Sequence, residues 1–252
     1  MNSSNLILKN LSLGYDREIY KAINASAGSG DMVALVGPNG IGKSTLLKSI
    51  ASIQHYRSGD ITVNSLSVKS YSQRELSSMI SFVPSQSPRA ASLSVFDMVS
   101  SGCFNRTNWL GETNEEDSSL VIETIKRVGL EGFATRDSGK LSDGEFQRAA
   151  IARALVQKSG IMLLDEPTAF LDIENKLVIT RLLAKLASEE HRCIIFSTHD
   201  LQLAVKLCDK IWLMGREKFS EGTPEELMEN GAFDTMFKDS GLKFDKTLYT
   251  FV

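Results

Sequence analysis

The stretch Gly37-Pro-Asn-Gly-Ile-Gly-Lys-Ser44 decides the fold class of this 252-residue chain. It fits the pattern GxxxxGKS/T at every fixed position, after the apolar run Val33–Val36 and before the helical pattern Lys43–Ala51. Glycines let backbone N–H groups turn towards phosphate oxygens, and the following helix N-terminus adds a favourable dipole. A glycine-rich turn before an ordinary helix is the plain alternative. The strand and helix around the motif favour a phosphate-binding loop (P-loop).

The side chains of this loop have separate expected roles. Lys43 would bridge the β- and γ-phosphates of a nucleotide, Ser44 would ligate Mg²⁺, and Thr45 can bond a phosphate. The expected nucleotide contacts are Gly37, Pro38, Asn39, Gly40, Ile41, Gly42, Lys43, Ser44 and Thr45.

Two carboxylates, Asp165 and Glu166, end the apolar run Ile161–Leu164. A buried strand that delivers Asp165 beside the P-loop suits a Mg²⁺ ligand, direct or through water. Glu166 is then placed to polarise an attacking water. Asp-Glu-Pro-Thr also favours an ordinary turn at a strand end. Downstream of a complete P-loop, the pair predicts a Mg²⁺ ligand followed by a catalytic base.

The remaining apolar runs indicate an α/β fold. Val33–Val36, Ile161–Leu164 and Cys193–Phe196 predict buried strands of a mostly parallel sheet, with helical patterns between them. Leu6–Tyr15 and Ile61–Val68 predict antiparallel strands. We therefore expect an α/β P-loop NTPase domain with an N-terminal antiparallel β-subdomain.

The middle of the chain has little strand pattern from Pro88 onwards. Val95–Ser101 and Leu120–Val128 look helical, and the polar stretch Thr113–Ser119 joins them. We interpret this region as a helical subdomain inserted into the core. The expected boundaries are one domain over 1–252, with the core at 1–87 and 157–252 and the helical insert at 88–156.

Charge and cysteine content narrow the function. A net charge of −3 argues against bulk electrostatic attachment to nucleic acid, which we do not expect as a partner, although it leaves room for a local basic patch. Three scattered cysteines without a CxxC pair predict neither a disulfide framework nor a zinc site, and they fit a reduced cytoplasmic setting. The N-terminus has no signal-peptide pattern, and no apolar run approaches the roughly 18 residues of a spanning helix. A role at a membrane would need a partner that spans it.

Several weaker signals accompany the P-loop. His199 follows the strand Cys193–Phe196, where ligands bind in nucleotide-binding sheets, although a lone His is more often structural. Gln86 follows a predicted sheet segment, and Tyr15 could pack in the core or stack on adenine. Ser142–Glu145 forms an S-x-x-E capping box at a helix N-terminus, which could also face a phosphate.

Together these motifs resemble the ATP-binding cassette (ABC) family across nearly the whole chain. The matching segments, in order, are Tyr15 for the adenine-stacking A-loop, Gly37–Thr45 for Walker A, Gln86 for the Q-loop, Leu141–Glu145 for the LSGGQ signature, Ile161–Glu166 for Walker B, Ala169–Asp172 for the D-loop and His199 for the switch histidine. The resemblance implies ATP and Mg²⁺ as cofactors, with two cassettes that sandwich two ATP molecules head to tail.

The resemblance also assigns site residues. It implies Lys43, Glu166 and His199 as catalytic, and Ser44, Gln86 and Asp165 as Mg²⁺ ligands. It implies nucleotide contacts from Tyr15, the P-loop, Gln86, Ser142, Gly144 and Asp172.

The signature departs from the family pattern at two positions. Asp143 stands where the first glycine is usual, and Glu145 where glutamine is usual. Two added carboxylates near a γ-phosphate should repel it. Asp tolerates unusual backbone angles better than most residues, so the local geometry can survive.

Two further segments, Ser94–Gly102 and Glu221–Leu227, resemble importers of iron–siderophore, haem and cobalamin. This implies a homodimer at the cytoplasmic face of the cell membrane, docked on integral membrane permease subunits and served by an extracytoplasmic solute-binding protein. Three alternatives stay open. One is a non-transport cassette in DNA repair or translation, and another is an exporter or lipoprotein-release ATPase. The third is a P-loop GTPase. That class needs an NKxD motif, and Asn175–Val178 begins like one but lacks the Asp.

Overall fold

Two main sheets and the helices around them form the protein in this computed structural model. The described residues are 5–14, 17–86, 89, 92–104, 114–236, 244–245 and 249–251. The strands are β1 (Leu6–Gly14), β2 (Glu18–Ala27), β3 (Met32–Val36), β4 (Ser58–Val63), β5 (Leu66–Ser67), β6 (Ile80–Val83), β7 (Ile161–Leu164), β8 (Cys193–Thr198), β9 (Lys210–Met214), β10 (Phe219–Gly222), β11 (Phe244–Asp245) and β12 (Thr250–Phe251). The α-helices are α1 (Lys43–Ile50), α2 (Gln73–Met79), α3 (Val95–Ser100), α4 (Glu115–Arg127), α5 (Asp143–Leu155), α6 (Ile173–Glu190), α7 (Leu201–Leu207), α8 (Pro224–Glu229) and α9 (Ala232–Met236).

The larger sheet has the strand order β10-β9-β3-β8-β7-β6, and all neighbours are parallel except β10 and β9. Successive side chains of a strand face opposite sides. In β3, Ala34 faces one apolar core with helices α3 to α7, and Val33 and Leu35 face a second core with α1 and the smaller sheet. Both faces are therefore covered, which explains why these strands are continuous apolar runs. The prediction of a mostly parallel sheet is confirmed.

The smaller sheet is antiparallel, with the order β2-β1-β4-β5. The predicted antiparallel strands are confirmed, but Ile61–Val68 is not one strand. Asn64 and Ser65 both have positive φ, of 50° and 70°, and they form a two-residue turn between β4 and β5. The sequence prediction also missed β2, which pairs with the other edge of β1.

Helices α3, α4 and α5 lie between β6 and β7 along the chain. The predicted linker Thr113–Ser119 is wrong over most of its length, because α4 begins at Glu115. Asn114 caps this helix by accepting from the backbone N–H of Asp117 at 2.7 Å, and acidic residues in the first turn suit the helix dipole. The division at 88–156 stays a prediction. In the described segments, no helix combines the length and apolar character needed to cross a membrane.

Candidate nucleotide-binding and hydrolysis site

Three functional segments leave the same edge of the larger sheet. Strands β3 and β7 both pair in parallel with β8, with Val36 beside Thr198 and Leu164 beside Phe196. The carboxyl ends of these strands therefore meet. The P-loop follows β3, the acid pair follows β7, and His199 follows β8. This is the edge at which open α/β sheets bind ligands.

The P-loop connects β3 to α1 through backbone conformations that favour glycine. Gly42 has a φ of 114° at the N-terminal boundary of α1. A Cβ on Gly37 would lie 2.7 Å from the carbonyl oxygen of Met214, so only glycine fits against β9 there. Gly40 is exposed, and among the described residues no atom lies within 4 Å of a Cβ built on it. The crest of the loop is therefore open to a phosphate, and the geometry fits a nucleotide.

Lys43 is folded over this loop and is only 5% exposed. Its Nζ donates to the carbonyl oxygens of Gly37 at 2.8 Å and Pro38 at 3.1 Å. Burial lowers the pKa of Lys43, while the charges of Glu166 and Asp165 act in the opposite direction. A buried cation held by carbonyls and two nearby carboxylates is well suited to bind an anion that enters the loop.

Asp165 follows β7, connects the P-loop to strand β8 through hydrogen bonds, and is 3% exposed. Its Oδ1 accepts hydrogen bonds from the hydroxyls of Ser44 at 2.9 Å and Ser197 at 2.8 Å. Its backbone N–H donates to the carbonyl oxygen of Val83 at 2.9 Å. Mg²⁺ prefers oxygen ligands and is commonly bound by one or two protein groups together with substrate phosphates. The adjoining Ser44 hydroxyl and Asp165 carboxylate fit that requirement.

Glu166, the next residue along the chain, is held by contacts with Ser197 of β8 and with His199. Its Oε1 lies 2.6 Å from Nε2 of His199, and its backbone N–H donates to the hydroxyl of Ser197 at 2.8 Å. Glu166 has a φ of 49°, which is unusual for a residue with a side chain. Such strained backbone is typical of functional sites. The left-handed turn and both contacts fix the carboxylate next to the P-loop.

A cleft of about 660 Å³ opens beside these residues. Pro38 and Asn39 line it from the P-loop, His199 from the segment after β8, and Tyr249 from the chain's last described segment. Three of the predicted nucleotide contacts, Gly37, Pro38 and Asn39, therefore share one solvent-accessible space with the predicted switch histidine.

The signature turn lies at the N-terminus of α5. The Ser142 hydroxyl accepts from the backbone N–H of Glu145 at 3.3 Å, and the Glu145 carboxylate accepts from the N–H of Ser142 at 2.8 Å. This capping box was predicted and is confirmed. Gly144 packs against Asn175, whose side-chain amide donates to Asp172 at 3.0 Å. The structure thus brings Ser142, Gly144 and Asp172 together where α5 and α6 begin.

Four further residues were predicted to contact the nucleotide, namely Tyr15, Gln86, Thr45 and Ile41. Tyr15 lies outside the described residues. Gln86 is exposed beyond β6, and in the described part of the chain no hydrogen bond joins it to Ser44 or Asp165. Thr45 is half-buried in α1, and Ile41 packs on the core beneath the loop.

Sequence reasoning missed three residues of this region, namely Ser197, Asn175 and Arg89. Ser197 is a polar residue inside a buried apolar strand, and that pattern could have signalled it. Asn175 was considered only as part of a GTPase motif, but it lies in α6 and bonds to Asp172. Arg89 had no local signal, because its contacts are with residues about 50 positions away along the chain.

Comparisons with known proteins agree with this geometry. The family model described as ABC transporter matches residues 20–169. The iron(3+)-hydroxamate import ATP-binding protein FhuC of Bacillus subtilis is 35% identical over 241 residues, which are 94% of this chain and 88% of FhuC. An ABC transporter of the metal-chelate type, solved in an inward-facing conformation, has a TM-score of 0.83 at 28% identity over 94% of this chain and 90% of its own.

A bacterial ABC transporter cassette solved as a dimer has a TM-score of 0.77 at 28% identity, covering 87% of this chain and 98% of its own. The family match covers more than half of the chain, including the P-loop and the acid pair. The chain therefore belongs to the ABC transporter family and is an ATP-binding, ATP-hydrolysing cassette of that family.

Proposed function

We propose that this chain powers import of a metal chelate, such as an iron–siderophore, haem or cobalamin. It would act as a homodimer on integral membrane permease subunits at the cytoplasmic face of the cell membrane, with an extracytoplasmic solute-binding protein delivering the solute. The observation that carries the ATPase part is one hydrogen-bonded chain at the sheet edge. It runs from Ser44 through Asp165 and Ser197 to Glu166 and His199.

The residues of that chain have complementary roles in hydrolysis. Lys43 would exchange its bonds to loop carbonyls for bonds to the β- and γ-phosphates. Glu166 would accept a hydrogen bond from water and align it for in-line attack on the γ-phosphate. His199 would hold Glu166 in place and contact the same phosphate. Ser44 and Asp165 would hold Mg²⁺, which supplies charge neutralisation at the phosphates when bound.

The homodimer is supported by the position of the signature turn. Ser142, Gly144 and Asp172 form a group in which, among the described residues, no hydrogen bond reaches the P-loop of the same chain. A second copy, arranged head to tail, would bring its signature turn to the γ-phosphate side of this P-loop. The similarity to a cassette solved as a dimer supports that arrangement. ATP would then close the dimer, and hydrolysis would reopen it.

The direction and cargo are supported by the relatives. FhuC is named for iron(3+)-hydroxamate import, and a similar solved transporter is of the metal-chelate type. An ATPase subunit does not touch the transported solute, so its own residues cannot select among chelates. The motion of the dimer would reach the permease through helices docked near Gln86.

Two measurements test the proposal. The purified chain should hydrolyse ATP in the presence of Mg²⁺, and a coupled phosphate-release assay would measure the rate. In its source cell, disruption of the gene should abolish uptake of radiolabelled iron supplied as a ferric hydroxamate, haem or another chelate. Uptake should return with the wild-type gene and not with Lys43→Ala. Undiminished uptake of every chelate tested, alongside active ATP hydrolysis, would contradict chelate import and keep the ATPase assignment.

A further inference from the structure

The signature turn carries carboxylates where it should meet a phosphate, and an arginine from another part of the chain forms an ion pair with one of them. The Arg89 guanidinium forms an ion pair with the Asp143 carboxylate. Its second arm donates from Nη1 to the carbonyl oxygen of Leu141 at 2.6 Å. Its centre also lies 4.8 Å from the ring centroid of Phe146. Arg89 therefore contacts the signature turn before, at and after Asp143.

The second acid of the turn has its own compensation. Hydrogen bonds from Ser142 lower the pKa of Glu145, so that this carboxylate carries its charge at neutral pH. The positive charges of Arg136 and Arg148 lower the same pKa further. The two carboxylates are thus opposed by three arginines, and Asp143 depends on Arg89.

We propose that Arg89 is a positioning residue of the ATP site, which neutralises Asp143 and fixes the signature turn so that it can accept the γ-phosphate bound by a second copy. This inference rests on the composite dimer of the proposed function. Without Arg89, a carboxylate that is 71% exposed would face a multiply charged phosphate. Coulomb repulsion would then oppose ATP-driven closure of the dimer.

A purely structural role for this ion pair predicts a different behaviour. Exposed ion pairs add little to folding stability, and here Asp143 is largely exposed while Arg89 is about one-third exposed. Loss of Arg89 should therefore change the thermal unfolding midpoint little. A positioning role instead predicts a loss in ATP-dependent dimerisation that depends on the residue at position 143 and on ionic strength.

The test compares full-length variants for ATP-dependent dimerisation, measured by analytical ultracentrifugation in a Glu166→Gln background that slows turnover. We expect Arg89→Ala to raise the ATP concentration for half-maximal dimerisation roughly tenfold, the effect of one lost charge-assisted contact. Arg89→Lys should recover part of the loss, because it keeps the charge without the two-armed geometry. Arg181→Ala removes an exposed arginine on α6 and serves as the matched control.

The decisive comparison is with Asp143→Gly. In that background Arg89→Ala should raise the ATP concentration for half-maximal dimerisation by less than about twofold, since no carboxylate remains at position 143 to be neutralised. The cost of Arg89→Ala in the Asp143 chain should also shrink in about 1 M salt, where exposed charges are screened. If Arg89→Ala raised the required ATP concentration equally with Asp or Gly at position 143, the inference would be overturned. The proposed function would still stand if the chain with native Arg89 and Asp143 dimerises with ATP. A chain with native Arg89 and Asp143 that does not dimerise with ATP would overturn both.

Discussion

The P-loop half and the signature half of the proposed ATP site are built in opposite ways. In the P-loop half, Lys43 and Asp165 are almost fully buried and are held by hydrogen bonds within one sheet edge. In the signature half, Asp143 is exposed and depends on Arg89 from a distant part of the chain. One half is organised by strand pairing, and the other by a side chain that reaches across.

This difference has an energetic consequence. Charges interact more strongly where water is excluded, and exposed charges are screened. A substitution in the P-loop half should therefore cause a large loss of ATP binding or hydrolysis that depends little on salt concentration. A change in the signature half should cause a smaller loss that a second substitution can relieve.

The largest effect is expected at Glu166. Glu166→Gln keeps the shape of the side chain but removes the carboxylate that would accept a hydrogen bond from the attacking water. We expect kcat for ATP hydrolysis to fall by roughly 10²–10⁴-fold, the usual contribution of a general base, with ATP still bound. Steady-state phosphate release and equilibrium nucleotide binding would measure the two effects. Glu174→Gln, on the exposed start of α6, is the control. Turnover near wild type would remove Glu166 as the base.

The next effect is expected at Lys43. Lys43→Ala removes a buried cation that two carboxylates surround, so a bound phosphate would meet Asp165 and Glu166 without compensation. We expect ATP affinity to fall by about 10- to 100-fold, as is typical for a lost hydrogen bond to a charged group. Calorimetric titration would measure it, with Lys48→Ala in the same helix as the control. An unchanged affinity would contradict the phosphate role.

The strands, the P-loop and the acid pair of the P-loop half could be located from the sequence, and the structural reason is their locality. The loop and the apolar strands are encoded within short segments, and parallel strands bring their carboxyl ends together. In the signature half, only the capping box is local in this way. The contacts of Ser197 and Arg89 could not be predicted, because they depend on which distant segments become neighbours. The missed strand β2 has a different reason, because it pairs locally with β1 but its alternation of buried and exposed residues is interrupted at Ala22, which has a φ of 55°.

Ser197 tests whether the P-loop half acts as a unit. Its hydroxyl donates to Asp165 and accepts from the backbone of Glu166, so Ser197→Ala breaks the link between the two carboxylates. The substitution leaves a partly buried N–H without this acceptor, which costs about 1 kcal/mol of unfolding free energy. We expect kcat to fall by roughly tenfold because Glu166 loses part of its support. Denaturant unfolding and ATPase assays would measure both, with exposed Ser188→Ala as the control. A loss of stability with unchanged kcat would show that Glu166 is held by its backbone turn and His199 alone.

The smallest effect, and the sharpest contrast with the P-loop half, is expected at Gly144. A Cβ there would lie 2.3 Å from Oδ1 of Asn175, which must then turn away from Arg148 and Asp172. Alanine also favours a helix over glycine by roughly 1 kcal/mol, so Gly144→Ala should change the free energy of unfolding by less than about 1 kcal/mol. ATP-dependent dimerisation should nevertheless weaken a few-fold.

An Asn175→Ala background separates these two contributions to the stability of Gly144→Ala. With the Asn175 side chain removed, the added methyl group has room, and only the helix preference of alanine remains. Gly144→Ala should then stabilise the chain by roughly 1 kcal/mol in a denaturant titration. If Gly144→Ala had the same effect on stability with and without the Asn175 side chain, the contact between the signature turn and α6 would carry no energy. The signature half would then be held by Arg89 and the capping box.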